Sequence, residues 1–227
     1  MRTPKIIDIP TDGGFLRGQL QLPDQPKGLI VFSYGSRNSR LNPRNRFIAK
    51  KLLQEDFATL LFDLFTPQEY FEDKREERFN LEFSTRRLIE VTEWLKKQPE
   101  TARFSIGYFG SGAGAASAIT AAADLGPQTV KAVVCRSGRL DLLKDKLDFV
   151  QSPTLLLVGS LDSQNILAFN ENAFKRLKGT KELQIISGAS HFFEKPDKLE
   201  ELIQFARNWF LKYLHFQETE MDKDFIP

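Results

Sequence analysis

At 227 residues, 41% of them apolar and 27% charged, the chain has globular proportions and enough length for one large core. Thirty-two basic residues against thirty acidic ones leave a formal charge of +2, and no cluster of lysines and arginines marks a nucleic-acid surface. No apolar stretch approaches the ~20 residues of a membrane span, no signal or lipidation motif precedes the first strand-like run, and the lone Cys135 allows no intramolecular disulfide, which suits a reducing compartment. A soluble, cytoplasmic protein with neither nucleic-acid nor membrane partners is therefore expected.

In chain order, Ile6–Ile9 and Phe15–Leu22 flank Asp12-Gly13-Gly14, a hairpin signal. The apolar run Gly28–Ser33 predicts a strand buried on both faces, followed by a helix over Arg44–Gln54 and a second buried strand over Ala58–Asp63. The mixed-sign run Glu69–Arg78 reads as a solvated face, and segment 64–82 is expected to border the opening of any site. Leu81, Leu88, Val91 and Leu95 repeat at helical spacing and stop before Pro99. Next come a strand over Phe104–Phe109 and an alanine-rich helix from Ala113 to about Leu125. Ala132–Cys135, Thr154–Val158 and Leu183–Ile186 read as further strands, with a helix over Asn165–Leu177 between the last two. A closing helix opens at Pro196, a favoured first-turn residue, and presents Leu199, Leu202, Ile203, Ala206 and Phe210. A hairpin followed by repeated strand–helix units implies a mostly parallel sheet covered on both faces. A single domain is expected over residues 1–216, with a loosely ordered acidic tail over 217–227.

Ligands of such sheets bind at the carboxyl ends of the strands, and four loops there carry the candidates. Gly110-Ser111-Gly112-Ala113-Gly114 has the strand–turn–helix setting of a nucleophile elbow, Gly-x-Ser-x-Gly, with Gly112 where the serine belongs. Residues two before and two after an elbow apex must be small. Gly110 and Gly114 meet that demand around Gly112, whereas an apex at Ser111 would place Phe109 there, so the register favours Gly112 with Ser111 as the displaced alternative. The dinucleotide pattern Gly-x-Gly-x-x-Gly fails, since its third glycine would be Ala115. Asp162, just past a buried strand, suits either orienting a histidine or capping the following helix. His191, between Ser190 and two phenylalanines, is a candidate base or an ordinary polar loop residue. Phe32-Ser33-Tyr34-Gly35-Ser36-Arg37 follows the first buried strand, where this architecture supplies one oxyanion-hole N–H; the pair would be Ser36 and Ala113, with Tyr34, Arg37 and Arg139 as ligand-contacting candidates. Cys135, at a strand end, reads as core packing with a thiolate nucleophile as the lesser alternative.

From Leu29 to Trp209 the chain resembles the α/β-hydrolase superfamily, and within it the dienelactone-hydrolase-like proteins. The segments that carry the resemblance are Val31–Ser36, Asn42–Arg46, Leu60–Leu64, Ile106–Gly110, Leu156–Gly159 and Gly188–Pro196. The resemblance implies an α/β-hydrolase fold and cleavage of an ester, lactone or other acyl bond in a small molecule, without a metal or organic cofactor. It matches Asp162 to the acid and His191 to the base. Gly112 falls at the nucleophile, and Tyr34 stands where the oxyanion loop often has a histidine. A monomer or homodimer with impaired or lost hydrolysis is expected, or else a non-catalytic binder of a carboxylate or other oxyanion on the same scaffold.

Overall fold

The computed structural model describes residues 4–35, 39–72, 80–143 and 145–214. The expected tail over 217–227, residues 73–78 of the charged run Glu69–Arg78 and the loop residues Ser36 and Arg37 lie outside them.

Asp12-Gly13 closes the first hairpin, pairing β1 (Lys5–Thr11) antiparallel with β2 (Gly14–Gln21), and β2 joins the rest of the sheet by antiparallel pairing with β4 (Ala58–Phe62). The remaining strands run parallel: β3 (Leu29–Ser33), β5 (Ile106–Ser111), β6 (Val130–Arg136), β7 (Thr154–Gly159) and β8 (Lys181–Ile186). The order across the eight strands is β1-β2-β4-β3-β5-β6-β7-β8. β3, β4, β5 and β7 are buried at every residue, as uninterrupted apolar runs require when helices cover both faces.

Two apolar layers flank the sheet. On one face α3 (Leu81–Lys97), α4 (Ala113–Thr129) and α5 (Gln164–Arg176) pack over Val31, Leu60, Tyr108, Val133 and Leu156. On the other, α1 (Pro43–Gln54) and α6 (Pro196–Tyr213) cover Phe32, Leu61, Phe109, Val134 and Leu157. Burial of each such side chain contributes about 1.5–3 kcal/mol. The helical repeat Leu88, Val91, Leu95 is wholly buried, while Leu81 only packs at its edge. A short α2 (Pro67–Glu72) precedes residues 73–79.

The helix ends follow local chemistry. The Asn42 side chain accepts from the amides of Arg44 and Asn45 ahead of Pro43, starting α1 one residue before the expected Arg44. The alanine-rich α4 runs past the expected Leu125, because a second helical turn follows the break at Gly126 (φ 72°) and Pro127. Among the described residues no helix is long and apolar enough to cross a membrane.

Candidate active site at the carboxyl edge of the sheet

β5 meets α4 in a turn with almost no room. A Cβ placed on Gly110 would lie 2.6 Å from the Cα of Ala115, and one on Gly114 would lie 2.3 Å from the Ser33 carbonyl oxygen. Both glycines let strand and helix backbones touch. Between them Gly112 has φ 54° and ψ −124°, a conformation that side-chain-bearing residues rarely adopt, yet a Cβ there would meet nothing within 4 Å. Gly112 is thus the apex of the turn and faces open space. Its N–H donates to the Arg136 carbonyl (3.1 Å), and its own carbonyl accepts from Arg139 (2.9 Å) and Ala115 (3.2 Å). The N–H of Ala113 opens α4 with no backbone partner among the described residues, as the first amides of a helix do.

His191 and Asp162 come together although 29 positions apart. His191 Nδ1 lies 3.0 Å from each Asp162 carboxylate oxygen. That contact assigns the proton to Nδ1 and leaves Nε2 free to accept one. The Asp162 side chain is 2% exposed and the His191 ring 37%, so the carboxylate sits behind the imidazole while the opposite ring edge is open. Asp162 Oδ1 also accepts from the Ser163 N–H (2.8 Å). Capping of α5 falls to Ser163, whose hydroxyl accepts from the Ile166 amide (3.3 Å), so of the two roles open to Asp162 it takes the one beside histidine.

Backbone contacts knit the loops that carry this pair. Leu161 N–H donates to the Ala189 carbonyl (2.9 Å), and Gly188 N–H donates to Ser160 Oγ (2.9 Å). A turn closed by Phe193 N–H on the Ser190 carbonyl (3.2 Å) presents His191, and the Phe192 ring stands edge-on to it at 4.7 Å. Ser137 Oγ donates to the His191 carbonyl (3.2 Å). The segment 136–139 therefore binds the Gly112 turn on one side and the His191 loop on the other. Asn170 on α5 anchors it, donating to the Gly138 carbonyl (2.9 Å). Two non-glycine residues here hold positive φ, Ser137 at 45° and the fully buried Phe193 at 54°. Each costs on the order of 1–3 kcal/mol and persists only because surrounding contacts over-determine it.

Tyr34 is buried, stacked on Phe32 at 5.9 Å between centroids, and its hydroxyl has no partner among the described residues. Burial holds the phenol well above its ordinary value of 10.0, so it stays a neutral hydroxyl. Ser111 ends β5 two residues after Phe109, so its side chain shares the α1/α6 face, where Oγ is buried and also unpartnered. Arg139 forms a bidentate pair with Asp141 (2.8 Å at both contacts), which commits its guanidinium. Burial pushes the Cys135 thiol far up, consistent with core packing rather than a nucleophile. Among the described residues no group of three His, Cys, Asp or Glu is placed to hold a metal ion.

Sequence reasoning missed Arg136. It ends β6 in register with Ser111, is 9% exposed, and leaves Nε and Nη1 without a partner among the described residues. The available signal was a cation closing the apolar run Ala132-Val133-Val134-Cys135 of β6.

Fold and site together define an α/β hydrolase: an eight-stranded sheet with a tight strand-to-helix turn at its centre and an Asp–His pair at its carboxyl edge. The structure of a dienelactone hydrolase from Anabaena variabilis ATCC 29413 is 40% identical, with a TM-score of 0.89 over 94% of this chain and 99% of that one. The chain belongs to the dienelactone hydrolase family. Est1E from Butyrivibrio proteoclasticus shares the fold at 17% identity, with a TM-score of 0.76 over 91% of this chain and 98% of its own. XC6422 from Xanthomonas campestris, an α/β serine hydrolase without a lid, does so at 18% identity, with a TM-score of 0.74 over 95% and 96%. Two Mycobacterium tuberculosis proteins bearing the name "Putative phosphoribosyl transferase" are 46% identical over 198 residues, 87% of this chain. This chain spans only 44% of their length, so that name belongs to a much longer protein. No protein-family model matches the chain.

Proposed function

We propose that this is a dienelactone-hydrolase-like protein in which Gly112 stands at the nucleophile position, so that hydrolysis of an ester, lactone or other acyl bond is impaired or lost. The observation that carries the reading is the conformation of Gly112, an apex that side-chain-bearing residues rarely adopt and that faces open space, together with the paired His191 and Asp162 on the same edge of the sheet. In this reading His191 Nε2 is the general base, Asp162 fixes its tautomer, and the N–H groups of Ala113 and Ser36 form the oxyanion hole. Tyr34 and Arg37 border a small acyl or carboxylate ligand. Without a nucleophilic side chain, His191 can only deprotonate a water above Gly112. Enzymes stripped of one triad member keep only ~10³–10⁴-fold acceleration over water, so turnover is slow. Ser111 is the alternative nucleophile, disfavoured because its Oγ is buried on the α1/α6 face. The lone, buried cysteine suits a cytoplasmic setting.

The experiment is intact-mass labelling with a fluorophosphonate probe on the native chain and on Gly112→Ser. Labelling of Gly112→Ser alone is the expected result. An adduct on Ser111 of the native chain would make the protein an active serine hydrolase and overturn the reading; labelling of neither would remove the assembled base and oxyanion hole from it.

A second reading, a non-catalytic binder of a carboxylate or other oxyanion on the same scaffold, is favoured by one observation: among the described residues the buried Arg136 guanidinium has no anionic partner.

A further inference from the structure

The helical layer of α3 and α4 holds a second concavity, made by none of the residues of the candidate active site. Along α3, Glu82, Thr85, Arg86, Ile89 and Glu90 recur at three- and four-residue spacing and share one side of the helix. On α4, Thr120 and Asp124 stand four apart and share a side in the same way. The short 3₁₀ turns Leu140–Leu143 and Lys146–Phe149 close the third side. Between these elements lies a cavity of about 800 Å³. Small-molecule pockets span roughly 300–1,000 Å³. Thr120 lies well down α4 from Gly112, about 12 Å at the helical rise per residue, which separates the cavity from the turn at the carboxyl edge.

The lining combines apolar walls with one unanswered polar group. Leu81, Ile89 and Leu142 pack against the core yet stay only partly buried. Thr85 is 5% exposed, and its hydroxyl has no hydrogen-bond partner among the described residues. Helical threonines ordinarily bond back to the carbonyl four residues earlier, as Thr92 does to Leu88 (2.7 Å) and Thr120 to Ala116 (2.9 Å). Thr85 makes no such bond. A buried hydroxyl left unpaired is costly, and threonine in a helix populates two χ1 rotamers, so its hydroxyl can turn to the cavity without backbone movement. The charges at the rim answer one another: Lys146 Nζ donates to Asp124 Oδ1 (2.5 Å), and Arg86 Nε lies 3.7 Å from Glu90 Oε1. With Glu82, the lining holds three carboxylates against two cations, a balance that does not suit an anion.

We infer that this cavity binds an uncharged, largely apolar small molecule, one carbonyl or hydroxyl oxygen of which accepts from the Thr85 hydroxyl. Its apolar body lies against Leu81, Ile89 and Leu142. The site takes no part in acyl chemistry and is independent of the reading of Gly112.

The test is fluorescence titration of the native full-length chain with Nile red, an uncharged dye that carries a ring carbonyl and emits strongly in apolar surroundings. Anilinonaphthalene sulfonate serves as the anionic comparison. A single saturable Nile red site is expected, with the sulfonate binding more weakly. Ile89→Trp on α3 and Leu142→Trp on the facing turn fill the cavity, and each should weaken Nile red roughly 10-fold or more. Thr85→Val keeps the shape and removes the hydroxyl, and should weaken it by about 3- to 10-fold. Phe192→Ala, beside the candidate base, should leave it unchanged. Absence of a saturable site, tighter binding of the sulfonate, or unchanged affinity in whichever of the α3 and turn variants folds overturns the inference. A loss in Phe192→Ala alone would put the dye at the candidate active site and overturn it as well. Failure of Gly112→Ser to label with fluorophosphonate would instead count against the hydrolase reading and leave this binding result standing.

Discussion

Gly112 and Gly114 are two residues apart, and replacing each should have opposite structural consequences. In Gly114→Ala the new Cβ would fall 2.3 Å from the Ser33 carbonyl oxygen and 2.4 Å from the Tyr34 Cα. Ordinary C···O approaches are ~3.3 Å, so an overlap of about 1 Å must be relieved. Overpacking usually costs ~1–3 kcal/mol when side chains can yield. Here both obstacles are backbone at the end of a central strand, so a loss of about 3 kcal/mol or more is expected. In Gly112→Ser nothing lies within 4 Å, and the only cost is the backbone conformation at φ 54°. That cost is on the order of 1–3 kcal/mol, partly offset by ~0.4–1 kcal/mol from the lower entropy of the unfolded chain. Urea unfolding with equal slopes measures both directly. In thermal terms the expectation is a drop of roughly 2–4 °C for Gly112→Ser and roughly 6–12 °C for Gly114→Ala. A Gly114→Ala protein within 1 kcal/mol of the native chain, or a Gly112→Ser protein less stable than Gly114→Ala, would mean that the turn is centred elsewhere, and the argument against Ser111 would fall with it.

Asp162→Asn in the Gly112→Ser background should slow fluorophosphonate labelling by about 10⁴-fold, because an amide no longer selects the Nδ1–H tautomer of His191; an undiminished labelling rate would remove Asp162 from the site. Arg87, 3% exposed at its side chain, pairs with Glu69 (2.5 Å) and Glu90 (2.9 Å) and donates to Thr11 of the first hairpin, so Arg87→Met is expected to cost about 1–3 kcal/mol in urea unfolding, the carboxylates keeping Thr66 and Thr11 as partners. Burial raises the Asp63 carboxyl from its ordinary 3.8 against the opposing pull of Arg40, so the folded form binds its proton more tightly than the unfolded chain does. Its contribution to stability is therefore greatest below 3.8 and declines as the pH rises through the shifted value; the urea midpoint of the native chain minus that of Asp63→Asn should fall across that window, and a rising difference would reverse the assignment. Cys135 should resist iodoacetamide in the folded protein at pH 8 and react completely in urea, as read by intact mass.

Much of the fold is legible in the chain because burial on both faces of a sheet leaves a plain signature. Leu29–Ser33, Ala58–Phe62 and Thr154–Gly159 are short, apolar and bounded by loop residues, and the helices between them carry caps or repeats that stand in the sequence. The apex at Gly112 is legible for a related reason: steric exclusion at Gly110 and Gly114 acts on side-chain size, which a sequence states directly. The pairing of Asp162 with His191 was only half legible. Position after a strand marked both residues, but the choice between capping α5 and orienting the ring depended on Ser163 taking the cap. Arg136 was not legible at all, since the environment of a strand-end cation is made by neighbouring strands that are distant in sequence. Tyr34 and Ser111 reach it only through the register of β3, β5 and β6.

That register also separates two kinds of departure from local preference at this edge of the sheet. At Gly112 the backbone takes an unusual conformation, and the residue present relieves it, because glycine tolerates φ 54° without a clash. At Ser137 and Phe193 a positive φ is held by residues that do carry a Cβ, and both lie in segments that fix His191. If the loops served only to cover the sheet, relaxing either residue would lower the energy by on the order of 1–3 kcal/mol with nothing lost. The strain lies in the segments that set the histidine and not at Gly112, where glycine carries the unusual backbone without a steric cost. In the reading proposed above, the chain still holds the His191 loop at a cost in conformational energy while no nucleophilic side chain stands at Gly112.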